Sequence, residues 1–155
     1  AARRRPAFTP TSPSVRQDRL RGFVLALWAG ALLTVGVLVA PTLFRVLPER
    51  ALAGLVAGEL FRLVTWLSVP AALAAFALRP AAPRGGRAWL AWRGWSLVPA
   101  LLLLANEYGV RVVMEGTRVA GRVTPAFLAL HAVSAALYAG ATLVALALLW
   151  RELRR

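Results

Sequence analysis

Between Arg122 and Arg151 the chain runs for twenty-eight residues, Val123 to Trp150, without a charge. At about 1.5 Å per residue, a helix of that length more than spans a ~30 Å hydrocarbon core. The polar residues of the run are confined to one stripe. Thr124, His131, Ser134, Tyr138 and Thr142 follow one another at spacings of seven, three, four and four, which keeps them on one side of an α-helix. A membrane helix must turn such a stripe away from lipid, toward other helices or a wet cavity. His131 is the only histidine in the chain.

Composition agrees with a membrane. Of the 155 residues, 59% are hydrophobic, above the ~45–50% of a typical globular domain. The net charge of +13 comes from arginines that flank apolar runs. They form no basic stripe with interleaved aromatics, which argues against nucleic acid as a partner. With no cysteine, disulfides, thiolate metal sites and thiol nucleophiles are excluded.

Residues 1–19, with five arginines and three prolines, read as a disordered basic tail. The uncharged stretch Gly22–Phe44 that follows has twenty-three residues, too long for the ~7–15-residue core of a signal peptide, so it reads as a retained helix. Ala26, Gly30 and Thr34 form a small-residue ridge along it, and Gly54 and Gly58 form a GxxxG pair early in the second span; both patterns are expected to serve helix packing. Pro41 is expected to kink or end the first helix. In the third span only Gly94 to Asn106 is uncharged, thirteen residues. A helix that crosses there must carry Glu107 and Arg111, and Glu107, Arg111 and Glu115 recur every four residues as a ladder. Thr124 followed by Pro125 predicts the cap of the fourth helix.

The expected fold is therefore all-α, an integral membrane four-helix bundle with helices at about 20–44, 50–78, 88–115 and 124–151. Thirteen arginines fall on the side of the termini and six on the other, which favours both termini in the cytoplasm. With that orientation Glu59, Arg62, Asn106, Glu107, Arg111 and His131 all fall in the outer third of the bundle, with Ser134 and Tyr138 below them. Ionisable groups inside a membrane are a functional hypothesis by default. Three readings of this cluster stay open. Glu59–Arg62 and Glu107–Arg111 can be local pairs reaching the interface, with His131 as interhelical glue. The cluster can line a vestibule for a solute or proton. His131 can also hold haem, with Arg62 or Arg111 on the propionates, although one histidine makes no closed metal site. No catalytic constellation stands out: the single aspartate, Asp18, lies in the tail, and Gly85–Arg87 lacks a phosphate loop's lysine.

The segments LWAGALLTVGVLVAPTLFRVLP (Leu27–Pro48), AGLVAGELFR (Ala53–Arg62) and FLALHAVSAALY (Phe127–Tyr138) resemble a bacterial membrane family of unknown function, of DUF4149 type, grouped with the human transmembrane protein 205. The resemblance covers roughly Arg21 to Trp150. It implies four membrane helices, no established biochemical activity, and on the human side a link to drug resistance. The family's pattern falls on Trp28, Gly30, Pro41, Phe44, Gly58, Phe61, His131 and Ser134, with no catalytic role attached. The fold is also similar to four-helix copper-resistance and haem-biosynthesis membrane families, which place a histidine in the first helix; this first helix has none.

The functional expectation is a small multi-pass protein of the bacterial inner membrane, an accessory or scaffold component without catalysis and without a cofactor or metal. Its partners would be the lipid bilayer and a second copy or another membrane protein. A solute- or proton-coupled transport protein is the alternative, and a haem- or metal-linked one the weaker alternative.

Overall fold

The computed structural model describes residues 13–78, 93–117 and 124–154, and these form four antiparallel helices. Helix α1 comprises Pro13–Leu33, a π-helical turn at Thr34–Val39, and Ala40–Val46. Helix α2 is Arg50–Ala77. Helix α3 comprises Val98–Ala105, a second π-helical turn at Asn106–Val110, and Arg111–Gly116. Helix α4 is Pro125–Leu153. There is no strand among the described residues.

Two expectations are corrected. Helix α1 starts at Pro13, inside the segment read as a tail. Proline fits a first helical turn, where its missing N–H has no partner to lose, and the Arg16–Gln17 and Arg19–Leu20 pairs that follow favour a helix. Residues 1–12 lie outside the described residues, as do 88–92 of the expected third helix. Pro41 does not end α1 either. The turn before it widens, so that the Ala40 N–H donates to the Val35 carbonyl five residues back, and the helix continues to Val46. A wide turn is a known way to pass a residue that cannot donate.

The start of α4 follows from local chemistry. Thr124 is extended, its Oγ1 accepts from the Phe127 N–H at 3.1 Å, and Pro125 occupies the first turn. The same hydroxyl donates to the Thr117 carbonyl at 3.0 Å, which ties the end of α3 to the start of α4.

Packing is of the kind that lipid favours. Among the described residues, nine of the seventeen buried hydrophobic ones are alanine, while Phe23, Leu27, Val37, Leu63, Trp66, Leu101, Val112 and Leu143 are exposed. Between helices in a bilayer, burial of large apolar groups gains little, because lipid tails are as apolar as leucine; small residues that let backbones approach gain more. Three helices, Arg16–Val46, Arg50–Ala77 and Pro125–Leu153, are long and apolar enough to cross a membrane. The chain is a membrane protein.

Trp28, Leu25, Ala29 and Leu32 of α1 point into the core. The Trp28 Nε1 donates to the Ser68 hydroxyl of α2 at 2.8 Å, and that hydroxyl donates to the Val64 carbonyl at 2.7 Å. One layer further on, Tyr138 of α4 donates to the Leu32 carbonyl at 2.8 Å and its ring meets Phe61 of α2 edge-on at 4.8 Å. Gly36 makes room for that ring. A Cβ on Gly36 would lie 2.6 Å from Tyr138 Cε1, closer than carbon atoms approach. Gly36→Ala is therefore expected to destabilise the bundle by about 1–3 kcal/mol, the range for overpacking. Thermal unfolding in detergent would measure it. The same substitution in a Tyr138→Leu background should cost much less, and an equal loss in both backgrounds would place the strain elsewhere.

The two halves of the bundle differ. From Arg21 to about Tyr138 each helix packs on two neighbours, α1 on α2 and α4, and α3 on α2 and α4. Beyond that layer the end of α1 packs on the start of α2, and the end of α3 packs on the start of α4. The far half is thus two hairpins side by side.

Candidate functional site

A chain of charges joins those two hairpins. Arg62 of α2 donates from Nη1 to both oxygens of Glu59, at 3.1 and 3.3 Å, and from Nε to Glu107 Oε1 of α3 at 3.0 Å. The other Glu107 oxygen accepts from Arg111 Nη1 at 2.6 Å, and the same Nη1 lies 3.2 Å from the Gly58 carbonyl of α2. Glu107 is the hub: only 7% exposed, with each carboxylate oxygen held by a different arginine. Two arginines and two glutamates leave the network neutral. Gly58 belongs to it through what it lacks, since a Cβ there would meet the Arg111 guanidinium at 3.2 Å.

The second π-helical turn carries the hub. Across it the Arg111 N–H donates to the Asn106 carbonyl five residues back. Asn106 and Glu107 are buried while Tyr108, next in sequence, is exposed and meets Trp66 of α2 edge-on at 6.2 Å. The Asn106 Oδ1 is buried with no hydrogen-bond partner among the described residues. Arg62, Glu107, Tyr108, Arg111, Val112 and Glu115 line a shallow depression over the network.

Depth follows from residue counts. Thirteen residues separate Arg62 from Ala75 on α2, about 20 Å of helix. Ala75 lies in a second charged layer at the opposite end. There Arg21, 1% exposed, donates from Nε to the Ala75 carbonyl of α2 at 3.1 Å and from Nη2 to the Ser96 hydroxyl, just before α3, at 3.3 Å. Its Nη1 pairs with Glu152 of α4. One guanidinium from α1 therefore joins α2, α4 and the residues that lead into α3. Sequence reading placed Arg21 among the interfacial charges and gave Glu152 no part; the available signal was an arginine and a glutamate facing each other across the two ends of uncharged runs. The Glu107 network thus lies about 20 Å along the bundle from the Arg21 layer, less than the ~30 Å thickness of a hydrocarbon core.

Of the eight residues expected to gather, Glu59, Arg62, Glu107 and Arg111 do so, with Asn106 buried beside them. The local pairs Glu59–Arg62 and Glu107–Arg111 both form, and the Arg62–Glu107 bond links them across helices. His131 is not in the network. It is exposed, with its ring stacked parallel to Phe127 at 6.2 Å and no ion pair to Glu59 or Glu107. At its level α4 packs on the end of α3 alone, so the side of α4 that is covered near Tyr138 and Thr142 is open near His131. Ser134 is half-buried and has no bond to the network, and Tyr138 serves Leu32 one layer below.

The small-residue patterns are redistributed as well. Ala26, Gly30 and Thr34 are exposed, and nothing approaches within 4 Å of a Cβ built on Gly30. Among the described residues no helix packs on that ridge, because the adjacent face with Trp28 and Leu32 points inward. The GxxxG pair serves two partners: Gly54 faces Phe44 of α1, and Gly58 faces Arg111 of α3.

A family model described as a domain of unknown function (DUF4149) matches residues 23–121. The match takes in α1 from Phe23 onward, α2 and α3, with both arginines of the network; it leaves out Arg21 and stops short of His131 and Ser134. No curated protein and no solved structure matches the chain.

Proposed function

The chain belongs to the DUF4149 family, and on that premise we propose that it is a non-catalytic accessory protein of the bacterial inner membrane that works by helix-to-helix contact. The observation that carries this reading is the exposed ridge of Ala26, Gly30 and Thr34. Small residues let a neighbouring backbone approach closely, and here the bundle makes no use of them itself. The two charged layers support a scaffold role, since each carboxylate at their hubs is matched by arginine. Both termini lie in the cytoplasm in this reading. The Arg21 end holds thirteen arginines and two acids along the whole chain, and the other end six arginines and four acids, the asymmetry expected of that orientation.

The experiment is co-purification of the full chain from native membranes in mild detergent, beside a Gly30→Leu variant. A helical partner, or a second copy, should be retained by the wild type and lost from the variant at unchanged thermal stability. Equal retention by both would sink the ridge as the contact surface.

A second reading is favoured by the depression over Arg62, Glu107 and Arg111 together with the unpartnered Asn106 Oδ1. Here the far half binds a small polar solute or carries a proton, and the Glu107 network is its gate.

A further inference from the structure

The last turns of α4 combine a groove with a fixed charge. Leu146, Ala147, Leu149, Trp150 and Leu153 line a shallow apolar groove on the outside of the helix. Trp150 and Leu153 are largely exposed along it. The Arg154 guanidinium lies 4.4 Å over the Trp150 ring, which holds a full positive charge at the mouth of the groove without neutralising it.

The rest of this end has the same sign. Among the described residues, Arg16, Arg19, Arg21, Arg93, Arg151 and Arg154 stand against only Asp18 and Glu152, and Glu152 is engaged by Arg21. At the other end Arg45, Arg50, Arg62 and Arg111 are balanced by Glu49, Glu59, Glu107 and Glu115. Along the whole chain, thirteen arginines against two acids at this end leave a far larger surplus than six against four at the other. The C-terminus of α4 contributes about half a negative charge of its own, which a single guanidinium outweighs. Arg93 repeats the device on α2, lying 4.3 Å over the Phe76 ring while its Nε donates to the Phe76 carbonyl at 2.9 Å.

We propose that this groove binds one anionic phospholipid, with an acyl chain along Leu146, Leu149, Trp150 and Leu153 and the phosphate on Arg154. A zwitterionic lipid fills the groove equally well but gains nothing from the surplus charge. An arginine near an anionic membrane surface contributes roughly a fivefold preference. An indole at head-group depth adds an interfacial anchor independent of lipid charge. Arg151, three residues before Arg154 and so on the same side of the helix, adds to the local field.

The test uses the full chain in detergent, titrated with phosphatidylglycerol or with phosphatidylcholine of the same acyl chains and read by native mass spectrometry. The expected result is about a fivefold or greater preference for phosphatidylglycerol, lost in Arg154→Gln and kept in Arg154→Lys. Both variants lie at the exposed end of α4, and circular dichroism should show unchanged helix content. Leu153→Gln should weaken both lipids alike. Equal retention of the two lipids by the wild type, or a preference that survives Arg154→Gln, would overturn the proposal. Displacement of phosphatidylglycerol by millimolar inorganic phosphate would assign Arg154 to a free anion and also overturn it.

Discussion

Replacing Arg21 by leucine is expected to destabilise the bundle by about 3–5 kcal/mol, the range seen when one partner of a buried ion pair is removed. The loss is not that of one attraction. Glu152, whose side chain is 6% exposed, loses its guanidinium partner in a buried layer. The Ala75 carbonyl and the Ser96 hydroxyl lose their donor in the same step. Reversible unfolding in mixed micelles, followed by tryptophan fluorescence, would measure the change. The double variant Arg21→Leu with Glu152→Leu separates the causes. Apolar replacement of a whole buried pair is often neutral or stabilising, so the double variant should recover most of the stability. If it is as unstable as the single one, the layer acts through packing and the electrostatic account fails.

Glu107→Ala should produce the second large effect, about 3 kcal/mol by the same physics. It is smaller because the partners have an escape. Arg62 is 47% exposed and Arg111 19% exposed, so both can swing toward the head groups on their flexible stems, whereas Arg21 cannot. Glu107→Gln keeps the shape and removes the charge, and should fall between wild type and Ala. The same variants discriminate the two functional readings. In proteoliposomes, a solute or proton flux that disappears in Glu107→Gln while the protein stays folded would favour the gated vestibule. No flux in the wild type, with stability alone responding, leaves the network as a structural tie.

Why some of this was legible in the sequence and some was not comes down to the reach of each interaction. Val123–Trp150 declared a helix because absence of charge over that length has one common cause. Thr124 and Pro125 announced its start because a cap is decided within four residues. Glu107 and Arg111 were readable as a pair because i and i+4 share a face on any helix. Arg62 with Glu107 is a different matter. Their meeting depends on how α3 is rotated, and the π-helical turn at Asn106–Val110 inserts a residue into the period that sequence reading must assume constant. Arg21 lay beyond reach for another reason. At the edge of an apolar run an arginine can turn outward to water or inward to a carboxylate, and the deciding partner, Glu152, lies 131 residues away. His131 shows the converse limit. Its stripe is real, but a stripe says which residues share a side, not how far along the helix that side remains covered.

The division of the bundle into a four-helix half and a half made of two hairpins bears on how it meets bilayers of different thickness. The uncharged stretch Gly22–Phe44 of α1 has twenty-three residues, about 35 Å of helix, a little more than a ~30 Å hydrocarbon core. Such a mismatch is accommodated by tilt at a modest cost per ångström. The Arg21 half, where one guanidinium joins α1, α2, α4 and the residues that lead into α3, is expected to tilt as a block. In the other half the hairpins meet through the Arg62–Glu107 and Arg111–Gly58 contacts, and side chains of that length can follow a change of angle without releasing their partners. Adaptation to a thinner or thicker membrane is thus expected from the hairpin half, with the Arg21 half following as one piece.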